Sequence, residues 1–157
     1  MEVFLTIQES DFDLGALYAQ LRSAHPGEIG AIAAFVGLVR DRNEKAGDGT
    51  AVETLTLEHY PGMTEASIRK ILAQAEARWP LLGVSVVHRV GTMCVDDQIV
   101  AVLCSSAHRD AAFAGAEFVM DYLKTDAILW KKEVTETGTT WVESTESDKS
   151  RARHWQE

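Results

Sequence analysis

The sequence predicts an α+β fold, with a mixed or antiparallel sheet and about three helices in one domain spanning residues 1–157. Three observations lead there. A chain of 157 residues falls within the roughly 100–200 residues of a single domain, and no repeat or Pro/Gly/Ser linker divides it. Its composition, 46% hydrophobic and 25% charged, is ordinarily globular and excludes a disordered or low-complexity protein. Apolar residues recur with period two in some segments and at helical spacing in others, and the two kinds are mixed along the chain.

Val3 to Ile7 reads as a short strand. Asp11 or Asp13 caps a helix through about Ala24, with Leu14, Leu17, Tyr18 and Leu21 on one side. Ile29 to Val39 is a small-residue apolar run that fits a buried strand, and the polar segment Asp41 to Thr50 reads as an exposed, mobile loop. Val52 to His59 alternates, placing Leu55, Leu57 and His59 on one face. Pro61-Gly62 turns the chain, and Thr64 caps a helix whose stripe is Ile68, Ile71, Leu72, Ala75 and Trp79, closed by Pro80.

Val84 to Val90 and Ile99 to Cys104 are β-branched strands, and the second is apolar on both faces, which marks it as central. A helix follows from about His108 to Lys124, with Ala112, Ala116, Val119, Met120 and Leu123 inward. Ile128 to Val134 and Thr139 to Val142 form a closing hairpin around Glu136-Thr137-Gly138, and the tail after Ser147 reads as a short polar helix.

A net charge of -9, from 15 Lys+Arg against 24 Asp+Glu, argues against a nucleic-acid binder. A positive site in such a chain is a local cluster suited to one small anion. The longest apolar run, Gly30 to Val39, is half of the roughly 20 residues a bilayer span needs, so no membrane helix is expected. No basic-then-apolar leader opens the sequence, and Cys94 and Cys104 are too few for a disulfide framework, so a cytoplasmic protein is expected.

The sequence contains no Gly-rich phosphate loop, no GxSxG elbow and no Cys-x-x-Cys. Its five histidines never pair at ligand spacing, so no dedicated metal site is expected. Cys104 reads as a small core residue and Cys94 as a loop residue.

The cationic candidates are Arg40, His108-Arg109, Lys124 and Lys131-Lys132-Glu133. Arg40 ends the apolar strand, where a solvated strand end is the plain alternative. His108 and Arg109 open a helix, a place where cations are disfavoured unless an anion is bound there. Lys124 ends the same helix, where the dipole favours a cation in any case. Lys131 and Glu133 share one strand face, with Lys132 opposite, and Trp130 and Trp141 provide apolar surroundings of the kind in which a lysine pKa can fall. A surface ion pair is the plain reading of Lys131 with Glu133. Together these residues describe a pocket for an anion lined by lysine and arginine.

Four strings carry a more specific signal: Leu57-Glu58-His59-Tyr60-Pro61-Gly62-Met63-Thr64-Glu65, Ser106-Ala107-His108-Arg109, Met120-Asp121-Tyr122-Leu123-Lys124-Thr125 and Trp130-Lys131-Lys132-Glu133. In this order they resemble the large, catalytic subunits of molybdopterin synthases, over about Ile29 to Trp155. The resemblance implies a hammerhead-type α+β fold and a homodimer. It also implies a heterotetramer with two small ubiquitin-like sulfur-carrier subunits. The reaction it implies converts cyclic pyranopterin monophosphate to molybdopterin, with sulfur from the thiocarboxylated C-terminus of the small subunit. By motif, Lys124 and Lys131 match the family's catalytic lysines. Arg40, His108 and Arg109 match its substrate-anion contacts, and Lys132 and Glu133 flank the second lysine. No cofactor and no metal is implied, since molybdenum enters at a later step.

Two positions depart from the pattern: Leu38 stands where lysine is frequent, and Lys132 where arginine is common, which keeps the charge and loses the bidentate fork. The alternative function is a non-catalytic, anion-binding scaffold of the same fold that docks a ubiquitin-like partner. The helix from His108 to Lys124 poses a geometric question. Arg109 and Lys124 stand about 22 Å apart along an unbroken helix. Either the helix breaks at Gly115, or its two ends serve different copies of the site in a dimer.

Overall fold

The β-branched runs at the centre of the sequence form the frame. In the computed structural model, which describes residues 1–41, 51–136 and 138–156, β4 (Leu81–Arg89) and β6 (Gln98–Ser106) pair antiparallel, with Val86 opposite Val102. β1 (Glu2–Gln8) lies parallel along β4, and β2 (Ala31–Leu38) antiparallel along β6, giving the order β1-β4-β6-β2. β6 is apolar on both faces because both are covered. One face packs under α2 (Met63–Arg78) and α3 (Arg109–Leu123), burying Val84, Val86, Val102 and Cys104 against Ala112, Ala116 and Val119. The other packs under α1 (Leu14–Ser23), where Leu21 meets Val87, Ala101 and Leu103.

A second sheet, order β5-β3-β7-β8, is built from β5 (Gly91–Cys94), β3 (Val52–His59), β7 (Leu129–Thr135) and β8 (Gly138–Val142), all antiparallel. Gly91, at φ 84, turns the chain from β4 directly into β5 and so from one sheet to the other. Val39, Leu55, Leu57, Val90 and Met93 fill the junction. The α+β class is as the sequence predicts, with two four-stranded sheets among the described residues in place of one.

The differences have physical causes. The run Ile29 to Val39 is not buried throughout: β2 is an edge strand, only Ala33 of it is buried, and Phe35 and Leu38 are exposed. Cys94 is not in a loop but ends β5, a four-residue strand too short to leave a period in the sequence. Thr64 does not cap α2. Gly62 holds that position with φ 84, and the Glu65 carboxylate accepts from its N–H at 2.6 Å. The Thr64 hydroxyl instead donates to the Ile128 carbonyl at 2.6 Å and accepts from the Tyr60 N–H at 2.9 Å. It thereby fixes the entry to β7.

Among the described residues four helices form, where about three were expected. The polar tail is α4 (Glu146–His154), started by a reciprocal Thr145–Asp148 capping box and pinned by Trp155, whose indole N–H donates to Asp121 at 2.7 Å. Residues 42–50 of the expected loop, and Thr137 of the hairpin turn, lie outside the described residues. Among the described residues no helix is long and apolar enough to cross a membrane.

Candidate active site

Where β2, α3 and β7 end or begin beside one another, they enclose a cleft of about 1190 Å³ lined by Arg40, Lys124, Lys131 and Glu133. Each cation arrives on a different element. Arg40 follows Val39, whose backbone N–H and carbonyl are both bonded to the Asp96-Asp97 turn, at 2.9 and 2.8 Å. Lys124 caps the C-terminus of α3, just past buried Met120 and Leu123. There the helix dipole favours a cation. The Thr125 and Asp126 amides close this end on the Tyr122 carbonyl, and the Ser144 hydroxyl donates to the carbonyl of Lys124 itself.

β7 sorts its charges by alternation. Lys131 stands opposite Leu57 and Glu133 opposite Leu55, so both share the face of two buried leucines, and Glu133 is itself buried. Lys132, opposite Thr56, points the other way, with its ammonium 5.5 Å from the centroid of the Trp141 ring. The structure therefore groups Arg40, Lys124, Lys131 and Glu133, and sets Lys132 apart from them.

His108 and Arg109 are also apart. They open α3 at the end remote from Lys124, and the Arg109 side chain is 83% exposed beside Asp110. The helix does not break at Gly115. That glycine is buried, and a Cβ on it would stand 3.0 Å from both methyls of Leu81, so it is there to let α3 approach the first sheet closely. Within one chain, then, neither His108 nor Arg109 reaches the cleft.

The cleft also contains residues that sequence reasoning missed. His88, on β4, lies on the same face as Val84 and Val86 and is almost fully buried. Its Nδ1 is 2.9 Å from the Arg89 carbonyl. Burial, opposed in part by that hydrogen bond and aided by the charges of Lys124 and Lys131, brings its pKa down to about 4. The signal was present in the sequence: a titratable residue continues an inward row of valines. Arg151 of α4 lines the cleft as well, and nothing in the tail's polar composition indicated which way it faces.

The thiol of Cys104 is pushed up to about 12 by burial, which makes it unreactive at neutral pH. Among the described residues no group of three or more His, Cys, Asp or Glu side chains could hold a metal ion.

Comparison with known proteins gives this geometry its context. The family described as "MoaE protein" matches residues 7–126. The chain belongs to the MoaE family. It is 49% identical over 156 residues to the molybdopterin synthase catalytic subunit of Vibrio cholerae serotype O1, covering 99% of this chain and 100% of that one. The structure of the molybdopterin biosynthesis MoaE protein from Burkholderia ambifaria MC40-6 superposes with a TM-score of 0.83 at 48% identity, covering 100% of this chain and 99% of the other.

A protein–protein complex of subunits 1 and 2 of molybdopterin-converting factor from Helicobacter pylori 26695 has a chain with the same fold. Its TM-score is 0.68 at 19% identity, over 90% of each chain. The MoaE family match contains Arg40, His88, His108, Arg109 and Lys124 and stops before β7. The near-full-length relatives extend the likeness across Lys131, Lys132 and Glu133.

Proposed function

We propose that this chain is the large, catalytic subunit of a molybdopterin synthase. On this reading it is a cytoplasmic sulfurtransferase that converts cyclic pyranopterin monophosphate to molybdopterin with sulfur from a thiocarboxylated small ubiquitin-like subunit. The observation that carries the reading is the convergence of Arg40, Lys124 and Lys131, from three separate elements, on one cleft. At about 1190 Å³ it is larger than the roughly 300–1,000 Å³ typical of a small-ligand site, which leaves room for a pterin and the end of a peptide together. Two exposed large apolar residues, Phe35 and Leu38, line that same cleft, and an apolar rim suits a protein partner.

The chemistry follows from the groups. The guanidinium of Arg40 suits the cyclic phosphate. The thiocarboxylate is already nucleophilic, so the protein supplies no nucleophile of its own. Its sulfur forms a bond to a pterin carbon as a ring carbon–oxygen bond opens, and the leaving oxygen needs a proton. Water then cleaves the acyl carbon–sulfur bond, which releases the small subunit as a carboxylate and leaves the sulfur on the pterin. A second thiocarboxylate supplies the other sulfur. Lys124 and Lys131 are placed to deliver and remove protons and to hold the anionic tail of the small subunit. Glu133 shares its strand face with Lys131. No resident cofactor is required.

His108 and Arg109 join this site through a homodimer. An isologous interface brings the start of α3 of one protomer to the end of α3 of its partner, and each composite site then takes its anion contacts from both. With two small subunits the assembly is a heterotetramer. Reconstitution with a thiocarboxylated small subunit and cyclic pyranopterin monophosphate should yield the dithiolene product. An intact complex that yields none overturns the reading.

A further inference from the structure

The polar groups reaching the cleft from Arg40, Lys124 and Lys131 are all donors, matched to an anion. A pterin also carries donors of its own, an exocyclic amine and ring N–H groups, and these call for acceptors. Beside the carboxylates of Glu133, Glu143 and Asp148, the lining offers a neutral one. His88 is such an acceptor. It ends the inward row Val84, Val86, His88 near the end of β4, between Ile7 on β1 and Val100 on β6, and it lines the cleft.

A carbonyl oxygen only accepts, so the 2.9 Å contact with the Arg89 carbonyl requires Nδ1 to carry the proton. Nε2, on the other side of the ring, is left with its lone pair. Among the described residues no hydrogen bond reaches it. The charged groups around the ring are Lys124 from the end of α3 and Lys131 from β7. Arg89 on its own strand is turned away, onto the carbonyls of Glu9 and Gln98. Burial and the two ammonium groups keep the imidazole neutral down to about pH 4, so Nε2 is an acceptor throughout the neutral range.

Resting on the synthase reading, we propose that His88 is a substrate-recognition residue, whose Nε2 accepts a hydrogen bond from an N–H donor of the pterin ring. The contact fixes which edge of the ring faces the lysines, and the phosphate-directed cations do not supply it.

Two variants separate the ring's two nitrogens. H88N keeps a donor near the Nδ1 position for the Arg89 carbonyl and loses the acceptor, whereas H88Q places an acceptor near Nε2. With cyclic pyranopterin monophosphate as titrant and the complex carrying an unactivated small subunit, H88N should weaken pterin binding by about tenfold, the effect of one lost hydrogen bond. H88Q should stay within about threefold of the parent. Small-subunit affinity should be unchanged in both.

Imidazole nitrogen NMR on the parent complex needs no variant to fold. It should find the Nδ1–H form at pH 7 and a shift at Nε2 when the pterin is added. A parent that binds no pterin counts against the synthase reading itself. A parent that binds it, with H88N binding equally well or with the proton found on Nε2, overturns the role of His88 alone.

Discussion

In the first sheet Val86 faces Val102, both fully buried, and helices cover the strands on each side. In the second, Lys131 and Glu133 face Leu57 and Leu55, while Lys132 and Trp141 lie outward on the far face. One sheet is mainly hydrocarbon on both sides, with Ser85, His88, Ser105 and Ser106 as buried polar residues. The other has charge on both sides, with Leu55, Leu57 and Met93 of its inner face packed at the junction. The difference separates what keeps the chain folded from what the chain does. α3 belongs to both, packing its length on the first sheet and delivering Lys124 to the second. Substitutions along α3 should therefore divide sharply, the middle costing stability and the ends costing turnover.

The largest effect should come from the middle. Phe118 is fully buried, with ring contacts to Trp79, Tyr122 and Trp155 at centroid distances of 5.3, 4.6 and 5.6 Å. Phe118→Ala leaves a cavity among three aromatics and should lower unfolding free energy by about 3–5 kcal/mol in chemical denaturation. A loss under ~1 kcal/mol would show that the helix is held elsewhere.

His88 stands where the two regions meet, and pH tests it. Its pKa falls from 6.5 to about 4 on folding, so between those values the unfolded chain binds the proton and the native one does not. Stability from this group is complete above pH 6.5 and is lost as pH falls towards about 4. The loss amounts to about 3 kcal/mol. Stability-versus-pH curves for the parent and H88N should diverge over this window, with the parent falling more steeply. Parallel curves would mean that the ring is solvated.

Much of this organisation is legible in the sequence. Period-two valines locate β4 and β6, and the stripe from Ile68 to Ala75 locates α2, because burial on a defined face is what a periodic pattern records. The alternation in β7 already separates Lys131 and Glu133 from Lys132. The second sheet was not legible as such. β5 is four residues long, and its existence depends on the turn at Gly91 rather than on any pattern of its own. His88 continues the valine row, but a histidine on a strand has no motif, and its neighbours across the cleft come from α3 and β7, distant in sequence. The direction of Arg151 depends on Trp155 reaching Asp121, a contact between residues 34 apart.

At the functional end, Lys124→Ala and Lys131→Ala should each cut turnover by at least ~10²-fold with melting temperature retained, as expected where both are outside the core. Near-parental turnover in both variants would reduce the cleft to an ordinary charged surface.

The two ends of α3 then test each other. If the start of one helix serves the end of its partner's, mixing inactive Lys124→Ala and Arg109→Ala chains should restore activity. After random exchange, half of the dimers are mixed, and each has one intact site of two, so recovery should approach about a quarter of the parental rate. A mixture as inactive as its parents after confirmed exchange rules out the shared site.

The smallest effect concerns the tether that holds α4 against α3. The indole N–H of Trp155 donates at 2.7 Å to the carboxylate of Asp121, which is buried. Trp155→Phe keeps a ring for Trp79 and Phe118 to pack against, both now in edge contact with Trp155, and deletes the donor. A hydrogen bond to a charged group contributes about 1.5–3 kcal/mol. Asp121 lies close enough to the surface for water to recover part of this, so the stability loss should be about 1–2 kcal/mol. The consequence for the cleft should be larger than the stability loss implies. Ser147, Asp148 and Arg151 of α4 line the cleft, and a helix of nine residues with one buried alanine has little else to keep it in place. Amide hydrogen exchange should therefore accelerate across residues 146–154 while α3 and the first sheet stay protected. If exchange rises equally in α3, the tether belongs to the core, and the division between the two sheets does not extend to the chain's C-terminal end.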